Sequence, residues 1–144
     1  MTASRQQIEN DARLDVKSIL VTAGLSNVIV EDTERPAAAT FVIVKCLNVR
    51  GNLQGGTLPT GMYQADMGAE AWSLVDDDED SADLNTLIGS IRQAIWSDDI
   101  VTRLNTASTY HTYYAMLEGD SVPDTSDRWR IRDIQFSLIL KPEK

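Results

Sequence analysis

The sequence predicts an α+β fold in which a mostly antiparallel sheet carries two helices on its surface. Two segments repeat apolar residues at spacings of three and four, as a helix with one buried side does. The segments between and after them are strand-like, and one of them, residues 62–75, alternates with a period of two. The order of elements is α-β-β-β-α-β-β. Because the 144 residues contain no repeat and no boundary, we expect a single domain, residues 1–144.

The first helix is predicted at residues 5–23. Ser4 and Gln7 have the spacing of a capping box, and Gly24 is a typical residue to follow the C-terminus of a helix. Its apolar stripe consists of Ile8, Ala12, Val16, Ile19, Leu20 and Ala23.

A short strand at residues 28–30 precedes a longer one at residues 41–49. Apolar side chains occupy both faces of the longer strand, with Phe41, Ile43 and Leu47 on one face and Val42, Val44 and Cys46 on the other. A strand of this kind is expected to be central and covered on both sides.

Residues 50–61 contain four glycines and one proline, which preclude regular structure. They are predicted to form the Gly-rich tip of a long hairpin that joins residues 41–49 to the alternating segment 62–75. Because long loops in compact domains are often binding elements, this tip is a candidate contact for a partner. The candidate contact residues are Arg50, Asn52, Leu53, Gln54, Thr57 and Leu58.

The second helix follows an acidic run, with Asp80 or Ser81 as its predicted N-cap. Its apolar stripe consists of Leu84, Leu87, Ile88, Ile91 and Ile95. Residues 110–117 and 129–140 are predicted to close the chain as two strands. In the last strand the apolar positions change from odd to even numbers at Arg132-Asp133, which predicts a β-bulge there.

Charge is strongly segregated along the chain, which has a net charge of −9. Residues 1–50 are neutral, and residues 51–91 contain eight acidic residues and no Lys or Arg. Residues 92–127 carry −4, and residues 128–144 carry +3. This distribution bears on association. The candidate residues for such association are Asp76, Asp77, Asp78, Glu79, Asp80, Arg128, Arg130 and Arg132.

The residue inventory argues against an enzyme and against a bound metal or cofactor. One Cys and one His allow neither a Cys-rich zinc site nor a two-His site, and Cys46 lies in an apolar strand where a thiol usually packs as a small hydrophobe. Asp76, Asp78 and Asp80 match the first ligands of a calcium loop, but Ser81 and Leu87 stand where that loop needs Gly and Glu. A metal-assisted hydrolase built on residues 76–83 is a hypothesis that ranks below the two given in the next paragraphs.

The net acidity disfavours nucleic acid as the main partner, no apolar run is long enough to cross a membrane, and the N-terminus does not resemble a secretory signal. A hypothesis of a different class is a small ligand- or protein-binding module with a Tyr/Trp surface. Its candidate residues are Tyr110, Tyr113, Tyr114 and Trp129, although packing against a helix or a neighbouring subunit uses the same residue types.

The order of elements resembles that of the small tail-terminator proteins of long-tailed bacteriophages, and related neck and connector ring proteins are similar. The resemblance covers nearly the whole chain and rests on architecture. It comprises the amphipathic N-terminal helix, the long hairpin, residues 69–76 running into the acidic segment, the helix Leu84 to Ile95, the segment 96–99, and the last strand, residues 130–138.

The resemblance implies a structural virion protein that forms a homomeric ring, usually a hexamer. Such a ring caps the tail tube once its length is set and offers a face to the head-closure or connector protein. DNA passes through the ring without being bound specifically. The implied location is the tail or neck of the virion, with assembly in the host cytoplasm. A baseplate ring subunit is an alternative within the same class.

Overall fold

The computed structural model describes residues 5–31, 38–51, 63–75, 82–95, 111–120, 124–126 and 128–141. They form two helices and six strands. In chain order these are α1 (Arg5–Thr22), β1 (Val28–Val30), β2 (Thr40–Gly51), β3 (Tyr63–Leu74), α2 (Ala82–Ile95), β4 (His111–Asp120), β5 (Asp124–Ser126) and β6 (Trp129–Lys141).

The six strands make one sheet in the spatial order β1-β2-β3-β6-β4, and β5 pairs with β6 beyond the end of β4. Only β1 and β2 are parallel; the other pairs are antiparallel. The predicted α+β class and the order of the elements are therefore confirmed, with the three-residue β5 added between the last two strands.

Both helices bury most of the stripes that their sequences predict, but Ala23 lies after the end of α1 and is exposed, and Leu87 is only partly buried. In α1, Ile8 and Leu20 are completely buried, and in α2, Leu84 and Ile91 are at most 1 % exposed. Gly24 follows α1 with a φ of 100°, the left-handed conformation that a residue ending a helix adopts and that glycine tolerates best.

The main core lies between the two helices and one face of the sheet. Alternate residues of β3 and β6 line it, and small side chains predominate on β3. The sheet residues of this core are Val28, Val42, Val44, Val49, Ala65, Met67, Ala69, Ala71, Ile134, Phe136, Leu138 and Leu140.

The alternation of residues 63–71 is confirmed, since Ala65, Met67 and Ala69 are completely buried while Gln64 and Asp66 face the other side. In β2 the expected covering of both faces holds for its first residues, because Phe41 and Val42 are both at most 1 % exposed.

The second half of β2 departs from the simple pattern. A register shift lies between Cys46 and Asn48, so Leu47 sits at a bulge and its side chain is half exposed. The strand continues to Gly51, two residues beyond the predicted end, and Arg50 and Gly51 pair with β3.

The predicted bulge at Arg132-Asp133 is wrong. β6 pairs with β3 from Leu74↔Trp129 to Tyr63↔Leu140 without a register shift. The apolar positions change parity because β6 buries side chains on both faces of the sheet. Ile134 faces the helices, whereas Trp129 packs against aromatic rings on the other face.

The irregularities of this part of the sheet lie in β4 instead. The pairing of β4 with β6 shifts between Thr112 and Tyr114 and again between Leu117 and Gly119. Both shifts insert one residue into β4, at the edge of the sheet, where bulges are common.

Several predicted features lie outside the described residues. These are the capping box at Ser4, the candidate tip residues Asn52, Leu53, Gln54, Thr57 and Leu58, the acidic residues Asp76, Asp77, Asp78, Glu79 and Asp80, the N-cap at Asp80 or Ser81, and Tyr110.

The packing of α1 predicts opposite outcomes for two substitutions in the same helix. Replacing Ile8, which is completely buried, by Ala removes core contacts and should lower the free energy of unfolding by about 3 kcal/mol. Replacing Leu14, which is 53 % exposed, by Ala should change it by less than about 0.5 kcal/mol. Urea unfolding of the two variants measures the difference, and equal losses would contradict the orientation of α1.

Candidate interaction surface

The face of the sheet opposite the helices carries the polar and aromatic features that the core does not explain. We call it the second face. Its described side chains come from alternate positions of β2, β3 and β6, and from one end of the sheet to the other they change from aromatic to ionic to polar.

Three aromatic rings pack together at one end of the second face. Phe41 stacks on Trp72 with ring centroids 5.3 Å apart, and Trp129 contacts both rings edge-on at 5.1 and 5.9 Å. Phe41 is 1 % and Trp72 8 % exposed. These offset and edge-on geometries are the favourable ones for aromatic pairs. The rings are therefore used for packing, and neither Phe41 nor Trp72 offers a free ring to a ligand.

An ion cluster at the middle of the second face joins three neighbouring strands. Lys45 Nζ of β2 lies 3.0 Å from Glu70 Oε2 of β3 and 3.2 Å from Asp133 Oδ2 of β6. The three side chains are only 15 to 24 % exposed. Glu70 and Asp133 are direct cross-strand neighbours, so two like charges face each other there. Lys45 offsets this repulsion by lying between them.

Gly68 makes this arrangement possible because it leaves space under the lysine side chain. A Cβ atom at this position would lie 2.8 Å from Lys45 Cε and 3.0 Å from Asp133 Oδ1. The cluster also extends along the sheet, since Trp72 Nε1 donates to Glu70 Oε1 at 3.2 Å and Gln135 Nε2 donates to Asp133 Oδ2 at 3.4 Å. It thus connects the aromatic end of the face to its middle.

The balance of burial and charge raises the pKa of Lys45. Burial alone would lower the pKa, but the hydrogen bond to Glu70 and the charges of Asp133 and Glu70 more than offset it. The folded state therefore holds the proton more tightly than the unfolded chain does. The resulting stabilisation is fully present below the ordinary value of 10.5 and is lost as the pH rises through the raised pKa.

A second polar cluster surrounds Asp66 towards the other end of the face. Arg50 Nη2 lies 3.2 Å from the Asp66 carboxylate, and Gln64 Nε2 and Ser137 Oγ donate to Asp66 Oδ1 at 3.0 and 3.1 Å. The Arg50 side chain is 56 % exposed, so its pairing with Asp66 contributes little to stability. Arg50 is the one predicted contact residue of the hairpin tip that the structure describes.

The edge of the sheet beside β2 is stepped. β1 covers only Val42–Val44, and among the described strands none pairs with the outer side of residues 45–51. The step is stabilised at its corner, where Arg13 Nη1 of α1 lies 3.1 Å from Glu31 Oε1 just after β1. Beyond the step, Leu47 is half exposed.

Cys46 lies at this edge but on the side that faces the helices, packed against the main core. Burial, reinforced by the nearby charge of Glu9, raises the pKa of its thiol to about 11. A thiol with this pKa is a poor nucleophile at neutral pH.

The structure describes all three arginines that the sequence analysis singled out, and none of them belongs to the second face. Arg130 and Arg132 share one face of β6, as the alternation predicts, and it is the face covered by the helices, where both are partly buried. Arg128 is exposed in the turn before β6. Whether these arginines meet a neighbour's acidic residues stays a prediction.

The sequence reading missed the cluster of Lys45, Glu70 and Asp133. The sequence does show a lysine within the mostly apolar strand at residues 41–49. Its two acidic partners, however, lie on strands that are distant in sequence, and they come close to the lysine only through the register of the sheet. Cys46 and His111, the one cysteine and the one histidine of the sequence, do not form a nucleophilic pair, because their strands lie at opposite sides of the sheet.

An open cleft of about 370 Å³ lies on the helix side, between the end of α1, the start of β2 and one flank of α2. Its lining mixes polar and apolar residues: Leu25, Ala39, Thr40, Asp83, Thr86, Leu87 and Ser90.

Within the described residues, no three His, Cys, Asp or Glu side chains lie close enough together to hold a metal ion. Neither described helix combines the length and the apolar character needed to cross a membrane. A scan against protein-family models and a search of curated proteins found no match for the chain.

The ion cluster predicts that replacing its lysine destabilises the folded state, and that the size of this effect depends on pH. Lys45→Met leaves two partly buried carboxylates side by side and should lower the free energy of unfolding by about 2 to 3 kcal/mol at pH 7. Adding Glu70→Gln should recover part of this loss. Because the pKa of Lys45 is raised, the difference from wild type should hold up to about pH 10.5 and shrink above it. Urea unfolding from pH 7 to 11.5 measures this, and an unchanged difference at the highest pH would refute it.

The raised pKa of Cys46 predicts slow alkylation. At pH 8 iodoacetamide should modify Cys46 about tenfold or more slowly than the cysteine of a Cys46→Ser/Leu47→Cys variant, which occupies the half-exposed neighbouring position. The Cys46 rate should keep rising until the pH passes about 11. Mass spectrometry of quenched samples gives both rates, and equal rates at pH 8 would show that the thiol is accessible and unperturbed.

Proposed function

We propose that this chain is a structural subunit of a bacteriophage tail that works by assembling into a ring. Within that class, the role it fits best is a tail terminator, which caps the tail tube and joins it to the head connector. The observation that carries the proposal is the stepped edge of the sheet. Among the described strands, only the three-residue β1 pairs with the outer side of the twelve-residue β2, and most of that side has no described partner strand and could accept another chain.

The layout of the rest of the molecule supports an assembly role. The main core uses one face of the sheet, and the second face is tied across three strands by Lys45, Glu70 and Asp133, which makes the sheet a stiff platform. Repeating one contact around a ring satisfies an open edge in every copy without leaving a free end.

The charge distribution supports the same role. The acidic segment, which contains Asp76 to Asp80, and the basic C-terminal segment sit in different parts of one chain. In a ring, the acidic segment either pairs with a neighbour's arginines or lines the lumen, where negative charge would keep passing DNA from adhering. On this proposal the partners are further copies, the tail tube protein and the head-closure or connector protein, and the protein resides in the virion.

A neck, connector or baseplate ring is the alternative within this class. A ligand-binding module with a Tyr/Trp surface is less well supported, because Trp72 and Trp129 are engaged with Phe41. The cleft beside α2 is the feature that would serve such a module.

Light scattering and electron microscopy test the proposal, first on the purified chain and then on its mixture with the tail tube protein encoded in the same genome. We expect a ring of defined size, bound at one end of the tubes, that stops further tube growth. Rings that assemble but leave tube growth unaffected would point to a neck or baseplate role. The images also show whether the acidic segment faces the lumen. A chain that stays monomeric at the highest concentration, alone and in the mixture, would refute the proposal.

A further inference from the structure

The two outer edges of the sheet occupy the same level along the strands. The residues opposite one another across the sheet can be followed from β2 to β4 through the shared pairings. One end row consists of Gly51, Tyr63, Leu140 and Thr112, and the other consists of Lys45, Gly68, Gln135 and Gly119. The part of β2 that no described strand covers, residues 45–51, is therefore level with residues 112–119 of β4.

The step made by β1 falls where β4 ends. The row of Val44, which β1 covers, leads across the sheet to Asp120, the last residue of β4. A neighbouring β4 placed beside residues 45–51 would thus pair through residues 112–119 and reach the C-terminal end of β1 with Asp120. The carbonyl of Val44 is already occupied by the N–H of Glu31 at 2.9 Å, so the new pairing would stop at Lys45.

The strand directions fit the same arrangement. β2 is antiparallel to β3, β3 to β6, and β6 to β4, so β4 runs antiparallel to β2. When a second copy continues the sheet in the same orientation, the β4 of one copy meets the β2 of the next as an antiparallel pair. No inversion of the second copy is needed.

The two edges differ in the charges of their own strands. Residues 45–51 include Lys45 and Arg50 and no acidic residue, whereas β4 includes Glu118 and Asp120 and no Lys or Arg. Lys45 and Arg50 are paired with carboxylates of the second face, so the β2 edge is close to neutral and not basic. In a chain with a net charge of −9, two copies repel each other overall, and a contact of the acidic β4 with this edge is favoured over a contact between two β4 strands.

From these observations we infer that the subunits join head to tail by strand addition, with β4 of one copy pairing antiparallel to residues 45–51 of β2 in the next. The inference rests on the proposed function and specifies the contact that builds the ring. Because the two edges differ, the contact is heterologous and generates a closed ring when the rotation between copies closes. The half-exposed Leu47 is covered by the incoming strand.

Disulfide cross-linking tests the pairing directly. In a Cys46→Ser background, one variant carries Asn48→Cys on β2, and a second set carries a cysteine at position 114, 115, 116 or 117 of β4. Within one subunit these positions are separated by two intervening strands, too far for a disulfide. Oxidising a mixture of the two kinds of variant should give covalent dimers at one or two adjacent β4 positions, and each variant alone should give none. A chain with both cysteines should give a ladder up to the full ring.

A pair of charge substitutions provides a second, independent measurement. Leu47→Asp introduces a negative charge where the acidic β4 strip is expected and should weaken assembly at least tenfold. Leu14→Asp changes a residue of similar exposure on α1 and should leave assembly unchanged. Thermal unfolding at low concentration checks that both variants fold, and light scattering across a dilution series measures assembly.

The outcomes separate this inference from the proposed function. Rings that form without the cross-links and are insensitive to Leu47→Asp would overturn the strand pairing and leave the ring proposal standing. Dimers from the Asn48→Cys variant alone, or from a β4 variant alone, would overturn it in favour of pairing between like edges. A chain that is monomeric under all conditions would overturn both.

Discussion

The uninterrupted pairing of β3 with β6 is the constraint on which the rest of the structure depends. Twelve successive residue pairs hold one register, so every side chain of β3 is assigned to a fixed face. On one face this register places Ala65, Ala69 and Ala71 under the helices, where small side chains let the helices lie close to the sheet. On the other face it sets Glu70 directly opposite Asp133. A slip of β3 by one residue would exchange the two faces of that strand and turn Glu70 into the core.

The second face shows how the sheet accommodates that acidic pair. Two partly buried carboxylates on neighbouring strands are unfavourable alone, and the lysine of the next strand is long enough to reach both. It can do so because Gly68 has no side chain in its path. The consequence extends beyond stability, since a cation shared by three strands resists shearing of one strand past another. A subunit that must transmit a fixed geometry to its neighbours gains from this rigidity, whichever faces its partners occupy.

Much of the fold could be predicted from the sequence because local periodicity specifies it. The stripes of both helices and the alternation of β3 needed no knowledge of distant contacts. The prediction of a bulge at Arg132-Asp133 was wrong because a change of parity has two physical causes, an inserted residue or burial on both faces. The unshifted register of β6 against β3 and the packing of Trp129 against Phe41 distinguish them. The site was less predictable than the fold. The ion cluster depends on register between strands far apart in sequence, and most of the predicted hairpin tip lies outside the described residues.

Because the two sheet edges differ, they determine which assemblies can satisfy both edges with one kind of contact. One edge is stepped by β1, and the other is a bulged ten-residue strand, β4. Pairing like edges would satisfy one edge of each copy and leave the other open, so growth would either stop at a dimer or continue by a second kind of contact. Pairing unlike edges uses both with one repeated contact. Such a contact closes a ring when the rotation between successive copies divides a full turn without translation along the axis. A net charge of −9 per subunit disfavours close packing of copies elsewhere, whereas strand pairing at the edges is stabilised by backbone hydrogen bonds.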